Sequence, residues 1–216
     1  MKKNNEIKLV IFDIGRVLIG FDFGCLVGEI KKNSSYSESY IKKKIFHSGL
    51  LEDFHRGFFS VENFFEKLSL ELEISDNFDV NKFKELFLSI FFDNKGIVKI
   101  LNNLRGDVCK MVISDISQFH WDNFISKQLV LRKHFPEDWQ RVLSFREGVV
   151  KPNSEIYEIA LKRAGIKAEE ALFIDDKKEN VAGFEAIGGF GFWYDCTKHS
   201  INRLLGNFKE NNLLIK

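Results

Sequence analysis

The sequence predicts an α/β protein: a Rossmann-like parallel sheet flanked by helices, carrying an inserted all-helical segment. Three observations predict it. Short apolar runs suited to strands buried on both faces recur at residues 9–12, 108–113, 171–174 and 190–194. From residue 97 onward those runs alternate with segments of helical period, as parallel strands joined by crossover helices do. Between residues 22 and 93 the period is helical and no strand pattern interrupts it. The predicted organisation is a core of residues 1–18 and 94–216, with residues 19–93 as an inserted helical cap.

Each element has its own signal. The run from Leu9 to Phe12 is the first strand; it delivers Asp13 to its carboxyl end, and Gly15 lets the backbone leave the sheet. In the insert, Ile41, Ile45 and Phe46 mark a helix ending near Gly49. Val61, Phe64, Phe65, Leu68 and Leu72 share a helical face behind Ser60 as N-cap. Val80, Phe83, Leu86, Phe87, Ile90 and Phe91 form another such face. A helix over 97–104, ending at Gly106, precedes the strand at 108–113, which ends in Ser114-Asp115. A helix begins near Ser117, and residues 141–145 form a short strand or extended segment. Lys151-Pro152 leads into a helix stopped by Gly165. The strand at 171–174 ends in Asp175-Asp176, and the helix after it stops at Gly188-Gly189. After the last strand, the tail from Ser200 is helical.

Composition narrows the function classes. The chain has 216 residues, enough for one domain with an insertion, and 44% are apolar, enough for a substantial core. Its 23 phenylalanines point to an aromatic-rich interior. Thirty-two basic residues against 31 acidic ones give no footprint for nucleic acid or an anionic membrane. No apolar run approaches membrane-spanning length, and a charge interrupts the first apolar run too early for a signal peptide. Cys25, Cys109 and Cys196 are odd in number, widely spaced and without a Cys-x-x-Cys pair, which fits a reducing, cytoplasmic setting. Monomer and homodimer both stay open.

Three strands thus end in polar groups: Asp13, Ser114-Asp115 and Asp175-Asp176, with Lys151 between the last two. Carboxylates converging at one sheet edge repel unless a cation joins them. Mg²⁺ is the usual choice where a phosphate completes the shell, and a lysine with a hydroxyl at a helix start suits a phosphoryl group. Each residue also has a plainer reading. Asp176 with Glu179, and Asp115 with Gln118, form possible capping boxes; Ser114 caps a turn; Lys151 is one surface lysine among many.

The joint order resembles the haloacid dehalogenase (HAD) superfamily over nearly the whole chain. Ile11-Phe12-Asp13-Ile14-Gly15-Arg16-Val17-Leu18 looks like its first motif and Val112-Ile113-Ser114-Asp115 like its second. Gly148-Val149-Val150-Lys151-Pro152 looks like the third, and Phe173-Ile174-Asp175-Asp176, with Asn180 and Gly183 behind it, like the fourth. The segments Phe46-His47-Ser48-Gly49 and Phe54-His55-Arg56-Gly57, with His120-x-x-x-Phe124, are similar to the epoxide-hydrolase-like and α-D-glucose-1-phosphatase branch.

The resemblance implies a Mg²⁺-dependent phosphatase acting on a small phosphomonoester, such as a sugar phosphate. Asp13 would attack phosphorus; Asp13, the Gly15 carbonyl, Asp176 and Asp175 would hold Mg²⁺, Asp175 directly or through water. Ser114 and the Asp115 N–H would bind phosphate, and Lys151 would pair with Asp13 and the phosphate. His47, His55 and Arg56 from the cap, with His120 from the core, are candidates for specificity. Two positions depart from the family pattern: Gly15 stands where a general acid/base Asp is common, and Asp115 where Asn is common. A dehalogenase, a phosphomutase and a non-catalytic phosphate-binding regulator are the other readings; Asp175-Asp176 speaks against the first, and Gly15 and Asp115 favour the last.

Overall fold

The structure, a computed structural model, describes residues 6–215; the charged N-terminal residues 1–5 lie outside the described residues. Strand β1 (Leu9–Phe12) is followed by β2 (Ile19–Phe21) and then by five helices. These are α1 (Gly24–Lys32), α2 (Glu38–His47), α3 (Leu50–His55), α4 (Val61–Leu72) and α5 (Val80–Leu88). Strand β3 (Phe91–Asp93) and helix α6 (Ile97–Asn102) lead to β4 (Cys109–Ser114), α7 (Gln118–Asn123) and α8 (Leu129–His134). The chain continues through β5 (Arg141–Leu143), α9 (Ser144–Glu147), α10 (Ser154–Ala164) and β6 (Ala171–Asp175). It closes with α11 (Lys178–Ala186), β7 (Phe190–Trp193) and α12 (Ile201–Glu210).

The parallel sheet has the order β5-β4-β1-β6-β7. The four residues of β1 are fully buried, because helices cover both faces. Strand alternation divides them: Val10 and Phe12 face one core with Leu204 and Phe208, while Leu9 and Ile11 face another with Tyr157 and Phe184. Gly183 makes the second layer tight. A Cβ there would lie 2.9 Å from the Pro152 carbonyl oxygen, so α11 packs directly on the Lys151-Pro152 turn.

The insert has its own core, built from Leu26, Val27, Ile41, Phe54, Phe64 and Phe87 among others. Its aromatic rings interlock: Phe54 lies 4.7 Å from Phe64, Phe64 5.8 Å from Phe87, and Phe83 4.9 Å from Phe87. Such pairs contribute about 0.5–1.5 kcal/mol each beyond the burial of their area. The helices start where the side chains can cap them: Ser37 accepts from Tyr40 N–H, Ser60 from Asn63 N–H and Asp79 from Lys82 N–H.

Three local expectations need correction. The helical stretch is not free of strands. Helix α5 stops at Leu88, and Phe91 belongs to β3, which pairs antiparallel with β2. The ribbon is tight because Gly20 lies directly beneath the Phe92 ring, where a Cβ would come within 2.1 Å of it. Residues 141–145 are extended only to Leu143; Ser144 opens the short helix α9. Helix α6 ends at Asn102, short of Gly106. The cysteines are free, and among the described residues no helix is long and apolar enough to cross a membrane.

Candidate active site

The chain winds outward from β1 through β4 and β5, then returns to the other side through β6 and β7. The crevice between β1 and β6, where the winding reverses, is the expected ligand site of such a sheet. Phe12 is paired with Val112 and Ile174, so the next residues along the strands, Asp13 and Asp175, arrive side by side with Ser114 close behind.

Asp13 Oδ1 accepts from its neighbour's N–H (Ile14, 2.7 Å) and from Lys151 Nζ at 2.9 Å. Lys151, only 6% exposed, also donates to Asp175 Oδ2 at 2.7 Å. The other Asp175 oxygen accepts from Lys177 N–H at 2.8 Å and Asn180 Nδ2 at 3.0 Å. Asp175 thereby accepts three hydrogen bonds from the protein. Asp13 Oδ2 and the Asp176 carboxylate accept no hydrogen bond from the described residues. Carboxylate oxygens of Asp13, Asp175 and Asp176 lie within 4.8 Å of one another.

Charge is out of balance here. Burial drives the Asp13 carboxyl up to about 8, with Asp175 and Asp176 pushing the same way against the pull of Lys151. Burial and the Asp175 charge also raise Asp176, to about 6. For Lys151 burial works against the charge, but Asp13, Asp175 and Asp115 outweigh it and hold the ammonium well above its usual value. One ammonium among three carboxylates leaves room for a cation.

Above this edge lies a cavity of about 720 Å³, shared between the sheet edge and the insert. Asp13, Gly15, Ser114, Asp115, Lys151 and Asp176 line its floor; His47, His55 and His120 line it too. Arg56 does not. It is spent on Glu52 at 2.7 Å and on the Gly148 carbonyl at 3.5 Å, tying the insert to the core. His120 is buried, its Nε2 2.9 Å from the Phe87 carbonyl and its ring 4.1 Å from the Phe87 ring. A carbonyl only accepts, so Nε2 carries the proton. Burial lowers His120 to about 4 and His55 to about 3, which keeps both neutral at pH 7.

Neither capping box forms. Asp115 Oδ1 accepts from Lys151 N–H at 3.0 Å, and Ser117 caps α7 by accepting from His120 N–H. Asp115 therefore braces the loop that presents Lys151. Helix α11 has no side-chain cap, which leaves Asp176 directed to the cavity.

Three contributors escaped the sequence reading. Buried Ser144 donates to the His55 carbonyl at 2.6 Å and accepts from Ile116 N–H at 2.9 Å, joining insert to core. Arg16, at a positive φ of 56°, holds its guanidinium 4.7 Å above the Phe21 ring. Phe21 in turn fills the space beside Gly15. Only the placement of Arg16 inside the first motif and of Phe21 just beyond it could have flagged those two; nothing in the sequence marks Ser144.

Residues 7–188 match the model of the haloacid dehalogenase-like hydrolase family. A HAD family enzyme from Bacteroides thetaiotaomicron superposes with a TM-score of 0.76 at 19% identity, covering 93% of this chain and 98% of that one. The same enzyme in complex with magnesium and inorganic phosphate gives a TM-score of 0.70 at 20% identity, covering 92% and 98%. A HAD-like family hydrolase from Porphyromonas gingivalis gives 0.73 at 25% identity, covering 92% and 98%. Among curated proteins, sesquiterpene phosphatase astK of Aspergillus oryzae is 47% identical over 45 residues, a stretch that spans 21% of this chain and 23% of that relative. With the family's model covering strands β1–β6, the insert and the strand-end carboxylates alike, the chain belongs to the haloacid dehalogenase-like hydrolases.

Proposed function

We propose that this hydrolase is a Mg²⁺-dependent phosphatase that cleaves a small phosphomonoester through an aspartyl-phosphate on Asp13. The observation that carries the reading is the hydrogen-bonded set Asp13–Lys151–Asp175, with Asp176 open beside it at the cavity floor. The magnesium and phosphate complex of the Bacteroides thetaiotaomicron relative supports it, as does the phosphatase name of the Aspergillus relative.

The residues fit a hard divalent ion: a raised buried carboxyl, unpartnered carboxylate oxygens and an excess of negative charge. Asp13, the Gly15 carbonyl and Asp176 would hold it; Asp175 would join it directly or through a water. When bound, Mg²⁺ neutralises phosphate charge and keeps Asp13 ionised.

The chain's own residues do the rest. Asp13, fixed by Ile14 N–H and Lys151, presents Oδ2 to phosphorus as nucleophile. Lys151 is positioned by Asp175 and, through its backbone, by Asp115. Its ammonium and the Ser114 hydroxyl would bind phosphate oxygens and stabilise charge on the transferring group. Helices α1–α5 would act as a cap that excludes water, with His47 and His55 lining its side of the cavity. The free cysteines accord with a reducing, cytoplasmic setting.

Phosphate release from p-nitrophenyl phosphate, measured with Mg²⁺, with EDTA and in Asp13→Asn, tests the reading. Turnover should need both the metal and Asp13. Turnover that survives Asp13→Asn would remove Asp13 as nucleophile.

A further inference from the structure

The wall beside the nucleophile says what the substrate leaves behind. Gly15 has no side chain, and none fits: a Cβ there would lie 2.8 Å from Phe21 Cε1 and 3.8 Å from Asp13 Oδ2. The Phe21 ring is held in place by Arg16 stacked 4.7 Å above it and by Phe23 edge-on at 5.5 Å. Packing therefore excludes a proton donor from the position next to Asp13. Three polar groups nearby have partners of their own: Lys151 bridges two carboxylates, Asp115 accepts from Lys151 N–H and His120 donates to the Phe87 carbonyl, while burial keeps His55 neutral at pH 7 and so without an acidic proton to give.

The same wall is apolar. Phe21 leads to Phe23, and Phe23 to Phe46 at 4.9 Å, so three rings climb from Gly15 along the insert; Phe91 adds a fourth. The polar members of that side are Asp22, Lys42 and His47, all exposed, and Arg16, whose guanidinium lies over the Phe21 ring. A sugar needs donors and acceptors along the wall where its hydroxyls lie. Aromatic rings suit a flat apolar group.

Resting on the phosphatase reading above, we infer that the substrate is an aryl phosphate: a monoester whose leaving group is apolar and departs as a phenolate without protonation by the enzyme. In the first step Asp13 Oδ2 bonds to phosphorus as the P–O(aryl) bond breaks, and the phenolate leaves with the electron pair and takes its proton from water. In the second step water attacks the aspartyl-phosphate, which regenerates the Asp13 carboxylate and releases phosphate and a proton. A phenol has a pKa of about 10, that of the Tyr side chain. An alkyl alcohol is about as weak an acid as water, at roughly 16. The missing acid therefore costs the aryl ester little and the alkyl ester much.

The test is kcat/KM of the unmodified enzyme with Mg²⁺ on phenyl, benzyl, geranyl, glycerol 3- and glucose 1-phosphate. Phenyl and benzyl phosphate are both apolar aromatics but differ in leaving-group acidity; phenyl phosphate should win by about 100-fold or more, the scale of lost general acid catalysis. Benzyl and glycerol phosphate both release alkyl alcohols but differ in polarity; benzyl phosphate should win by about 10-fold or more. Benzyl or geranyl phosphate matching phenyl phosphate would overturn the leaving-group assignment. Glycerol or glucose phosphate matching the aromatic esters would overturn the apolar one, with the phosphatase reading intact. No hydrolysis of any ester and no phosphorylated Asp13 would sink the phosphatase reading itself, and the substrate class with it.

Discussion

The two halves of the cavity are built by different physics. Its floor is electrostatic: Asp13, Ser114, Lys151, Asp175 and Asp176 are delivered by strand register and by the turns that follow, and hydrogen bonds fix Asp13, Lys151 and Asp175 to one another and to the backbone. Its roof is hydrophobic: helices α1–α5 pack on interlocked rings, with no buried ion pair inside them. A network of directional bonds with an unbalanced charge fails when one member is removed, whereas an aromatic core tolerates repacking if volume is kept. The floor should therefore be brittle and pH-sensitive, and the roof adaptable.

The largest expected effect is at Lys151. Lys151→Met would strip the countercharge from two buried carboxylates, so the metal-free protein should lose about 3–5 kcal/mol in urea unfolding. A smaller loss would mean that the floor is less tightly coupled than its distances suggest.

Metal affinity comes next. Asp13 titrates near 8 when folded, above its usual 3.8, so the metal-free fold loses stability as pH rises between those values. Mg²⁺ must displace that proton. Its affinity by calorimetry should rise about tenfold per pH unit from pH 6 to 8 and then level off. A flat profile would show that Asp13 is already ionised.

His120 belongs to the seam between floor and roof. Its folded value of about 4 lies below the ordinary 6.5, so the stability tied to its neutral form is complete above 6.5 and fades as pH falls towards 4. His120 should contribute roughly 1.4 kcal/mol per pH unit, opposite in sign to Asp13, and His120→Gln, which can still donate to Phe87, should remove that contribution from the measured slope. An unchanged acid limb would place the titration elsewhere.

Smallest is the roof itself. Phe64→Leu should cost about 1–1.5 kcal/mol in stability and leave kcat for phenyl phosphate within about twofold. A collapse of activity would mean that the aromatic core also holds the catalytic floor in register.

Legibility in the sequence follows the same division. Floor residues were readable because strand ends carry charge where the flanking runs are apolar, and this contrast survives without coordinates. The roof was readable as helical period and phenylalanine content, down to the Ser60 cap. What failed was short or non-local. Ile19–Phe21 is a three-residue strand whose partner lies at the far end of the insert, too brief for a period to show. Phe91 fell on the extrapolated face of α5 because nothing local announces that the helix stops at Leu88. The capping boxes offered by Asp115 and Asp176 lost to tertiary partners, the Lys151 N–H and the cavity. Arg56 read as a cavity residue, but Glu52, one helical turn earlier, holds it.

The most direct measurement is a rapid-quench reaction of the Mg²⁺-loaded enzyme with phenyl phosphate, followed by peptide mass spectrometry. One added phosphoryl group should appear on the peptide bearing Asp13, and it should be absent in Asp13→Asn. Steady phosphate release with the label on another residue, or with no labelled peptide, would contradict Asp13 as the nucleophile at the centre of this site.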